Sequence, residues 1–361
     1  MLYIGVLGAF LISFGIVVYL TPKLLLLSLR KKMLDQVDSR KIHTSAASRF
    51  GGFSFFPAIL LSVCLSMALM CAIGGDIIRE SITLKFVLGF CSLFILYILG
   101  VSDDILGVRY RKKFLFQTLA AVLIVVSGTW IKNLHGFLGV GELPDYLGIP
   151  LTVLLIVLIA NSINLIDGID GLAALLSIIV FCVYGSFFLY QGALTDTLIA
   201  FAALGALVPF FYFNVFGVRK KNNSKIFMGD AGSLVIGFIL AVMAVKLWNI
   251  EQPEKDVPYP YILSYTMLIV PCFDTIRVLF CRIKKHQPLF MPDNNHIHHI
   301  LMERGFSQRK TLLAIVLIAL FFLLLNTVLA GVLNITFIVI LDIIIAVLFF
   351  KIEKNKTPLK A

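Results

Sequence analysis

The sequence has few charged residues and no long polar stretch. Only 14% of its 361 residues are Asp, Glu, Lys or Arg, whereas 60% are hydrophobic and the mean hydropathy is +0.98. No polar segment exceeds a few dozen residues, so the sequence leaves no room for a separate soluble domain, and it has no evident repeat. The composition excludes a water-soluble globular protein and predicts a single polytopic membrane domain over residues 1–361.

Cysteines form no recognisable pattern either. No CxxC pair is present, and all six cysteines lie within or at the ends of apolar runs: Cys64, Cys71, Cys91, Cys182, Cys272 and Cys281. They are interpreted as small apolar residues rather than as disulfides or metal ligands. The first apolar run also lacks an N-terminal cation, because its first basic residue is Lys23. This run is therefore expected to be a membrane span and not a cleavable signal peptide.

What the sequence does contain is a series of long apolar runs. A helix needs roughly 20 apolar residues to cross the ~30 Å core of a bilayer. By this measure the sequence predicts an all-α integral membrane protein with about eleven transmembrane helices. The predicted spans are residues 2–28, 52–73, 84–101, 114–131, 149–165, 172–190, 194–216, 231–248, 261–281, 311–330 and 333–350.

Basic residues predict the orientation of these spans. Lys and Arg are concentrated in alternate segments: residues 30–49, 109–113, 219–225, 282–310 and 351–360. The intervening segments hold only Arg79, Lys85, Lys132, Lys246 and Lys255. Since Lys and Arg are retained in the cytoplasm, the N-terminus is expected outside and the C-terminus inside. The same asymmetry accounts for most of the net charge of +11, so nucleic-acid binding is not inferred, whereas anionic lipids and substrates are favoured.

Polar chemistry is gathered in five loops that this topology places on the cytoplasmic side. They contain Asp35, Asp38, Arg40, Lys41 and His43; Asp103 and Asp104; residues 161–171; residues 228–230; and residues 296–299. Ionisable groups beside hydrocarbon are costly, so their repeated placement at span ends indicates a shared purpose. We interpret them as one active site at the membrane surface that handles a phosphorylated substrate.

The segment 161–171 has a polar residue at every third position: Asn161, Asn164, Asp167 and Asp170. A continuous helix would spread these side chains about 60° apart around its axis. Gly168 and Gly171 allow the backbone to turn and to present the side chains inward. Their oxygens suit a hard cation such as Mg²⁺ and the donors of a nucleotide base. A helix-capping turn is the alternative, and four polar residues with two glycines count against it.

Two acidic motifs are less specific. Asp230, between Gly229 and Gly232, has the features of an ordinary helix N-cap, although the glycines also suit a phosphate and Phe227 suits a base. Asp103 and Asp104 could bind a cation, pair with nearby basic side chains or share a proton. They fit a solvated pair of acids, balanced by neighbouring basic residues, equally well.

Histidines and one acid–base pair complete the candidates. His296, His298 and His299 could form a zinc site, but no cysteine accompanies them, so recognition of phosphate or sugar is preferred. Asp274 and Arg277 are spaced i, i+3 within a predicted span. A buried ion pair is preferred to a catalytic role for them.

Together these motifs resemble the polyprenyl-phosphate N-acetylhexosamine-1-phosphate transferases of the WecA and TagO type, with MraY as a more distant cousin. The resemblance runs in order along nearly the whole chain. It is carried by Asp35…Arg40-Lys41-Ile-His43…Arg49-Phe-Gly-Gly52, Asp103-Asp104…Lys113-Phe-Leu-Phe-Gln117, Asn164…Asp167-Gly-Ile-Asp170-Gly-Leu, Phe227-Met-Gly-Asp230-Ala-Gly-Ser233 and His296-Ile-His298-His299.

The resemblance implies a Mg²⁺-dependent enzyme, with Mn²⁺ as a substitute, that transfers a sugar-1-phosphate from a UDP-N-acetylhexosamine, most simply UDP-GlcNAc, to undecaprenyl phosphate. It implies metal binding by Asp230 and Asn164, and catalytic roles for Asp103, Asp104 and Asp167. The implied substrate-binding residues are Lys41, His43, Lys113 (lipid phosphate), Asp170 and Phe227 (uracil), and His296, His298, His299 and Arg304 (sugar and pyrophosphate).

It also implies a multi-pass protein of the bacterial inner membrane, commonly a homodimer, that begins a cell-envelope polysaccharide such as a wall polymer or lipopolysaccharide. Two alternatives remain at this point. The MraY reaction would use a UDP-muramoyl-peptide donor. A secondary transporter would place its ionisable residues near the bilayer midplane, where Asp274, Arg277 and Asp342 are the clear candidates.

Overall fold

The computed structural model describes residues 2–31, 48–74, 83–217, 225–251, 259–288 and 295–355. Most of this part of the chain is helical. Its helices are α1 (Leu2–Arg30), a 3-10 helix (Phe50–Ser54), α2 (Phe55–Gly74), α3 (Leu84–Leu106), α4 (Tyr110–Val126), α5 (Asp145–Ile166), α6 (Leu172–Tyr190), α7 (Leu194–Phe216), α8 (Gly229–Trp248), α9 (Pro260–Met267), α10 (Ile269–Lys284), α11 (Ile297–Glu303), α12 (Gln308–Leu329) and α13 (Ile335–Asn355). Between α4 and α5, β1 (Asn133–Phe137) and β2 (Val140–Glu142) form an antiparallel hairpin, which the sequence did not predict.

Helix length and composition identify eight or nine of the eleven predicted spans among the described residues. Every predicted span coincides with a helix, but only eight described helices are long and apolar enough to cross a membrane, or nine if α9 and α10 form one bent span. Helix α4 has 17 residues and begins with basic side chains, and the apolar part of α13 is short. The prediction of an all-α integral membrane protein is confirmed, whereas its count of eleven spans is not.

Helix α8 lies at the centre of the bundle. It is apolar on all sides and buried along nearly its whole length, as expected for a helix surrounded by others. Helices α3, α5, α6 and α9 pack around it, while α1 packs along α7 and α2 at the periphery. Because α3, α5 and α8 are neighbours, polar residues at their ends converge on one end of the bundle, which we call the acidic end.

Glycines permit the close packing found at the acidic end. Gly52, in the 3-10 helix, lies against the backbone of Gly232 and Met228 at the start of α8, so that a side chain at position 52 would overlap them. Gly100 of α3 lies equally close to the backbone of Ala231. These contacts require glycine because they bring one backbone directly against another.

The predicted span 261–281 is broken. Helices α9 and α10 meet at Leu268 with a bend of 53°. Pro271, in the first turn of α10, lacks the N–H that would continue the hydrogen-bonding pattern from α9, which accounts for the break. Near it, the buried Asn326 of α12 donates hydrogen bonds to Thr266 Oγ1 (3.1 Å) and to Asp342 Oδ2 (2.9 Å), and so links α9 to α13.

Candidate active site

A carboxylate from α3 caps the N-terminus of α8. Met228, the residue before α8, makes no side-chain cap. Instead, Oδ1 and Oδ2 of Asp104 accept hydrogen bonds of 2.9 Å from the backbone N–H groups of Asp230 and Ala231. A carboxylate in this position satisfies free helical N–H groups and interacts favourably with the helix dipole. Asp104 therefore holds α3 against α8 and positions the backbone of Asp230; its predicted catalytic role stays a prediction.

Lys113 lies between two carboxylates. Its ammonium group forms an ion pair with Asp103 and lies 3.3 Å from Oδ2 of Asp230. Asp103 also accepts a hydrogen bond of 2.5 Å from the backbone N–H of Val108. The side chains of Lys113 and Asp230 remain 24% and 18% exposed, so the group is open to solvent on one side. The structure thus brings the predicted residues of α3, α4 and α8 into direct contact.

Asn164 of α5 orients Asp230 from the other side. Its amide nitrogen donates hydrogen bonds to Oδ1 of Asp230 (2.5 Å) and to Oγ of Ser233 (2.7 Å). The Ser233 hydroxyl in turn donates to the carbonyl of Gly229 at 2.8 Å. The sequence predicted that Asn164 and Asp230 share one cation, and the structure places them in contact. Their role as metal ligands stays a prediction.

The polar segment after α5 does leave the helix. Helix α5 ends directly before Asp167, and Gly171, whose φ is +81°, precedes α6. Glycine adopts this left-handed conformation without steric penalty, as the sequence predicted. Burial, followed by the nearby carboxylates of Asp230, Asp170 and Asp104, raises the pKa of Asp167 to about 7. Asp167 nevertheless remains partly accessible.

A buried amide joins this turn to the segment before α8. Asn214, near the end of α7, accepts a hydrogen bond of 2.5 Å from the backbone N–H of Gly171 and donates one of 2.8 Å to the carbonyl of Ile226. Lys225 forms an ion pair with Asp170. The sequence analysis did not identify Asn214 or Lys225 as site residues. The available signal for Asn214 was a single amide near the end of an apolar span.

Phe227 lies in the segment before α8, next to the turn after α5 to which Asn214 and Lys225 connect it. Its backbone N–H donates to the carbonyl of Ser48 at 2.7 Å, and its carbonyl accepts from Gly51 at 3.0 Å. Its backbone is thus held between the described end of the first loop and the start of α8, and its side chain is half-buried. Phe227 and Asp170, both predicted to bind uracil, are therefore carried by adjoining segments.

Residues of α10 organise the histidine loop. Asp274 Oδ2 lies 2.8 Å from Nδ1 of His296, and its Oδ1 accepts a hydrogen bond of 2.9 Å from the backbone N–H of Ile297. Arg277 donates to Oδ1 of Asp274 at 2.8 Å and also to the carbonyl of Asn295. The predicted buried ion pair between Asp274 and Arg277 is confirmed. Its contacts with the loop, which the sequence did not reveal, show that it positions the start of α11.

The histidine loop also contacts the turn after α5. His298 is 1% exposed and lies so close to Gly168 that a β-carbon there would overlap Nε2. Burial, followed by the imidazoles of His299 and His296, lowers the pKa of His298 to about 3, so this side chain is neutral at physiological pH. The rings of His298 and His299 are 4.3 Å apart, and Arg304 lies at the C-terminus of α11.

Two predicted binding residues, Lys41 and His43, lie outside the described residues, so their role stays a prediction. The other predicted site residues lie in segments that adjoin at the acidic end: Asp103, Asp104, Lys113, Asn164, Asp167, Asp170, Phe227, Asp230, His296, His298, His299 and Arg304.

The donor set at the acidic end fits a hard divalent cation. Asp103, Asp104, Asp167 and Asp230 supply four carboxylates, two of which contact the ammonium of Lys113, and burial followed by the neighbouring carboxylates raises the pKa of Asp167. Among the described residues, no three His, Cys, Asp or Glu side chains form a group that could hold a metal ion. Mg²⁺ commonly relies on one or two carboxylates, water and substrate phosphates, so an open acidic cleft suits it better than a closed cage would.

Comparison with known proteins shows the family of this chain. Residues 86–248, which include all four of these carboxylates, match the profile of glycosyl transferase family 4. A Bacillus subtilis (strain 168) protein, named a probable undecaprenyl-phosphate N-acetylglucosaminyl 1-phosphate transferase, is 30% identical over 324 residues, which cover 88% of this chain and 83% of that protein. The chain belongs to this family.

Two other relatives extend the comparison. An undecaprenyl-phosphate alpha-N-acetylglucosaminyl 1-phosphate transferase of Pasteurella multocida (strain Pm70) is 30% identical over 285 residues, which cover 78% of this chain and 75% of that protein. Its namesake in Escherichia coli (strain K12) is 26% identical over 291 residues, which cover 80% and 74%. The expected resemblance to polyprenyl-phosphate transferases is confirmed.

Proposed function

We propose that this protein transfers GlcNAc-1-phosphate from UDP-GlcNAc to undecaprenyl phosphate, forming undecaprenyl-diphosphate-linked GlcNAc and UMP. The observation that carries the proposal is the contact between Asp103, Lys113 and Asp230 at an open, acidic bundle end. Relatives with names for this reaction align over most of the chain, and the reaction would begin a cell-envelope polysaccharide. Their names favour this reading over a muramoyl-peptide transferase or a transporter.

In the reaction, an oxygen of the acceptor phosphate forms a bond to the sugar-linked phosphorus of the donor. The bond from that phosphorus to the bridging oxygen breaks, and UMP leaves with the electron pair. Both substrates are anions, so the site must neutralise charge more than it must form covalent intermediates. No oxidant or further reactant is needed.

Lys113 is suited to bind the acceptor phosphate. Its ammonium group has three N–H donors, and in the structure it faces Asp103 and Asp230 while remaining partly exposed. When the phosphate arrives, Lys113 can exchange one carboxylate partner for it. Asp103 then lies next to the attacking oxygen and assists its activation, while Asp104 keeps the N-terminus of α8 in place.

A divalent cation, Mg²⁺ or Mn²⁺, would be held by Asp230, with Asn164 beside it and Asp167 in the turn after α5. When bound, the cation supplies charge neutralisation at the donor pyrophosphate. Asp230 is prepared for this role because Asn164 and the α8 backbone fix its position. The amide of Asn164 would have to turn its oxygen towards the cation in order to act as a second ligand.

The donor nucleotide would occupy the corner between the turn after α5 and the segment before α8. Phe227 offers an aromatic face to uracil, and Asp170 offers acceptors to its N–H group once Lys225 shifts. The sugar and pyrophosphate would extend towards His296, His298, His299 and Arg304. Because His298 is neutral, it contributes hydrogen bonding rather than charge.

The choice of donor tests the proposed function. Purified protein with Mg²⁺ is expected to release UMP from UDP-GlcNAc, or a close UDP-N-acetylhexosamine, only when a polyprenyl phosphate is present. UMP release is measured directly, with chelator in place of Mg²⁺ as the control. Activity solely with UDP-muramoyl-pentapeptide would instead assign the MraY reaction, and flux of a substrate into vesicles without UMP release would assign a transporter.

The topology is tested separately. We propose that the acidic end faces the cytoplasm of a bacterial inner membrane, with the β1–β2 hairpin outside. In a cysteine-free background, Lys112→Cys is expected to react only with a membrane-permeant thiol reagent, whereas Glu142→Cys reacts with an impermeant one. Both positions are exposed. Reversal of this pattern would place the site on the other face. The homodimer stays a prediction that size determination in detergent checks.

A further inference from the structure

A cavity of about 470 Å³ lies at the end of the bundle opposite the acidic end. It is bordered by the first residues of α3 and the last residues of α8, the two helices whose other ends carry Asp103 and Asp230. At 1.5 Å per residue, α3 places Lys85 at the mouth of the cavity roughly 27 Å from Asp103, and Leu93, which also lines the cavity, roughly 15 Å from it. The cavity is therefore separate from the proposed active site.

The lining of this cavity is amphipathic. Its apolar part is formed by Phe86, Phe90, Leu93, Ile124, Phe238 and Val242, from three different helices. Its polar part is formed by Lys85, Ser127, Thr129, Asp196 and Lys246. The volume lies within the range of cavities that bind small molecules. An aliphatic chain with a polar head group would match both parts, whereas a small soluble ion would leave the apolar part uncovered.

The charge of the polar part is positive. Lys246 pairs with Asp196 at 2.5 Å, while Lys85 is exposed at the rim. The cavity is therefore lined by two ammonium groups and one carboxylate. Two lysines at one cavity are unusual for this side of the protein. The segments predicted to lie outside contain only five basic residues in the sequence, Arg79, Lys85, Lys132, Lys246 and Lys255, and two of them border this one cavity. Lysines near a bilayer surface attract anionic head groups.

We propose that this cavity binds one anionic phospholipid, with its phosphate at Lys85 and Lys246 and an acyl chain on the aromatic side chains of α3 and α8. On the proposed topology the lipid comes from the outer leaflet. The bound chain fills the space between the two helices and so stabilises their packing. This site does not depend on the proposed reaction, because none of its residues belongs to the acidic end.

The experiment uses the full-length protein, delipidated in an uncharged detergent, with phosphatidylglycerol or phosphatidylcholine of the same chain length added back. Native mass spectrometry counts retained lipids, and thermal unfolding reports stability. We expect retention of one phosphatidylglycerol with about fivefold preference over phosphatidylcholine, and a rise in Tm of about 2 °C or more.

Two variants test the site from its polar and apolar parts. Lys85→Gln removes the exposed cation, and Gly89→Leu fills the cavity, since a β-carbon at Gly89 meets no atom within 4 Å. Both are expected to abolish the preference, while Lys132→Gln, whose lysine lies over Trp130 on the same side but outside the cavity, keeps it. All three variants should retain transferase activity in detergent.

Equal retention of the two phospholipids, or a preference that survives both Lys85→Gln and Gly89→Leu, would overturn the proposal. A third lipid distinguishes the source of the phosphate. If polyprenyl phosphate displaced phosphatidylglycerol and its retention depended on Lys85 and Gly89, the cavity would bind the acceptor lipid and the phospholipid assignment would be wrong. Absence of UMP release in every protein, with lipid retention as expected, would contradict the proposed reaction and leave this site intact.

Discussion

Asp230→Asn is expected to lower turnover by about 10²-fold or more, with the fold intact. Asp230 lies in the first turn of α8, which Asp104 caps, so the cap stays in place, and asparagine can still accept the hydrogen bond from Asn164. What the variant loses is the negative charge beside Lys113 at the proposed cation site. The Mg²⁺ concentration needed for half-maximal rate should therefore rise as well. Steady-state kinetics at a series of Mg²⁺ concentrations, with thermal unfolding, measures both effects.

Asp145→Asn is the matched control. Asp145 is an exposed acid at the start of α5, and its contact with Nε1 of Trp130 needs only an acceptor oxygen, which asparagine retains. This variant should have wild-type turnover and wild-type Mg²⁺ dependence. If Asp230→Asn had wild-type turnover and wild-type Mg²⁺ dependence, the proposed cation site would have to move to Asp103 and Asp104 or to Asp167.

The second large effect is expected for Asp274→Asn, a change at a positioning residue. Asp274 orients His296 and the start of α11, and misplacement of a substrate-positioning group can reduce activity by about 100-fold. Because the histidine loop is proposed to contact the donor, the KM for the UDP-sugar should rise while the KM for polyprenyl phosphate changes little. Two-substrate kinetics separates these constants.

Asp196→Asn provides the comparison for Asp274→Asn. It also removes the charge of a helical carboxylate that is paired with a basic side chain, but at the opposite end of the bundle. Its kinetics should resemble the wild type. If Asp274→Asn lowered thermal stability and affected both KM values equally, the Asp274–Arg277 pair would serve to hold the bundle together and not to position the donor site.

Local sequence signals predicted part of the backbone conformation at the acidic end. The spacing of Asn164, Asp167 and Asp170 with two glycines indicated a break between α5 and α6, and Gly171 does adopt positive φ. Such a signal is readable because backbone conformation depends on neighbouring residues. The same reasoning placed the end of one span too late. Helix α4 ends at Val126, where the predicted span continued to residue 131, because the chain turns at Gly128 with φ +89°.

Contacts between distant segments could not be read in this way. Asp104 and Asp230 are 126 residues apart, yet one caps the helix that begins with the other. Asn214 joins two loops through hydrogen bonds that span 43 and 12 residues. The His298 ring fits only because position 168 is glycine, since a β-carbon there would overlap it. In each case the partner is chosen by how helices pack, and no periodicity within one segment records that choice.

By itself, the sequence determined that this is a helical membrane protein with its polar residues at span ends, because hydrocarbon excludes charge and leaves apolar runs of characteristic length. Its motifs also indicated the family. Only the tertiary structure decided which carboxylate pairs with which basic side chain. It also decided that Asp104 caps α8 and that Asp274 contacts and orients His296. The pairings at the acidic end arise because α3, α4 and α8 meet there, and the pair of Asp274 and His296 arises because α10 lies against the start of α11. Packing thus brings together groups that are far apart along the chain.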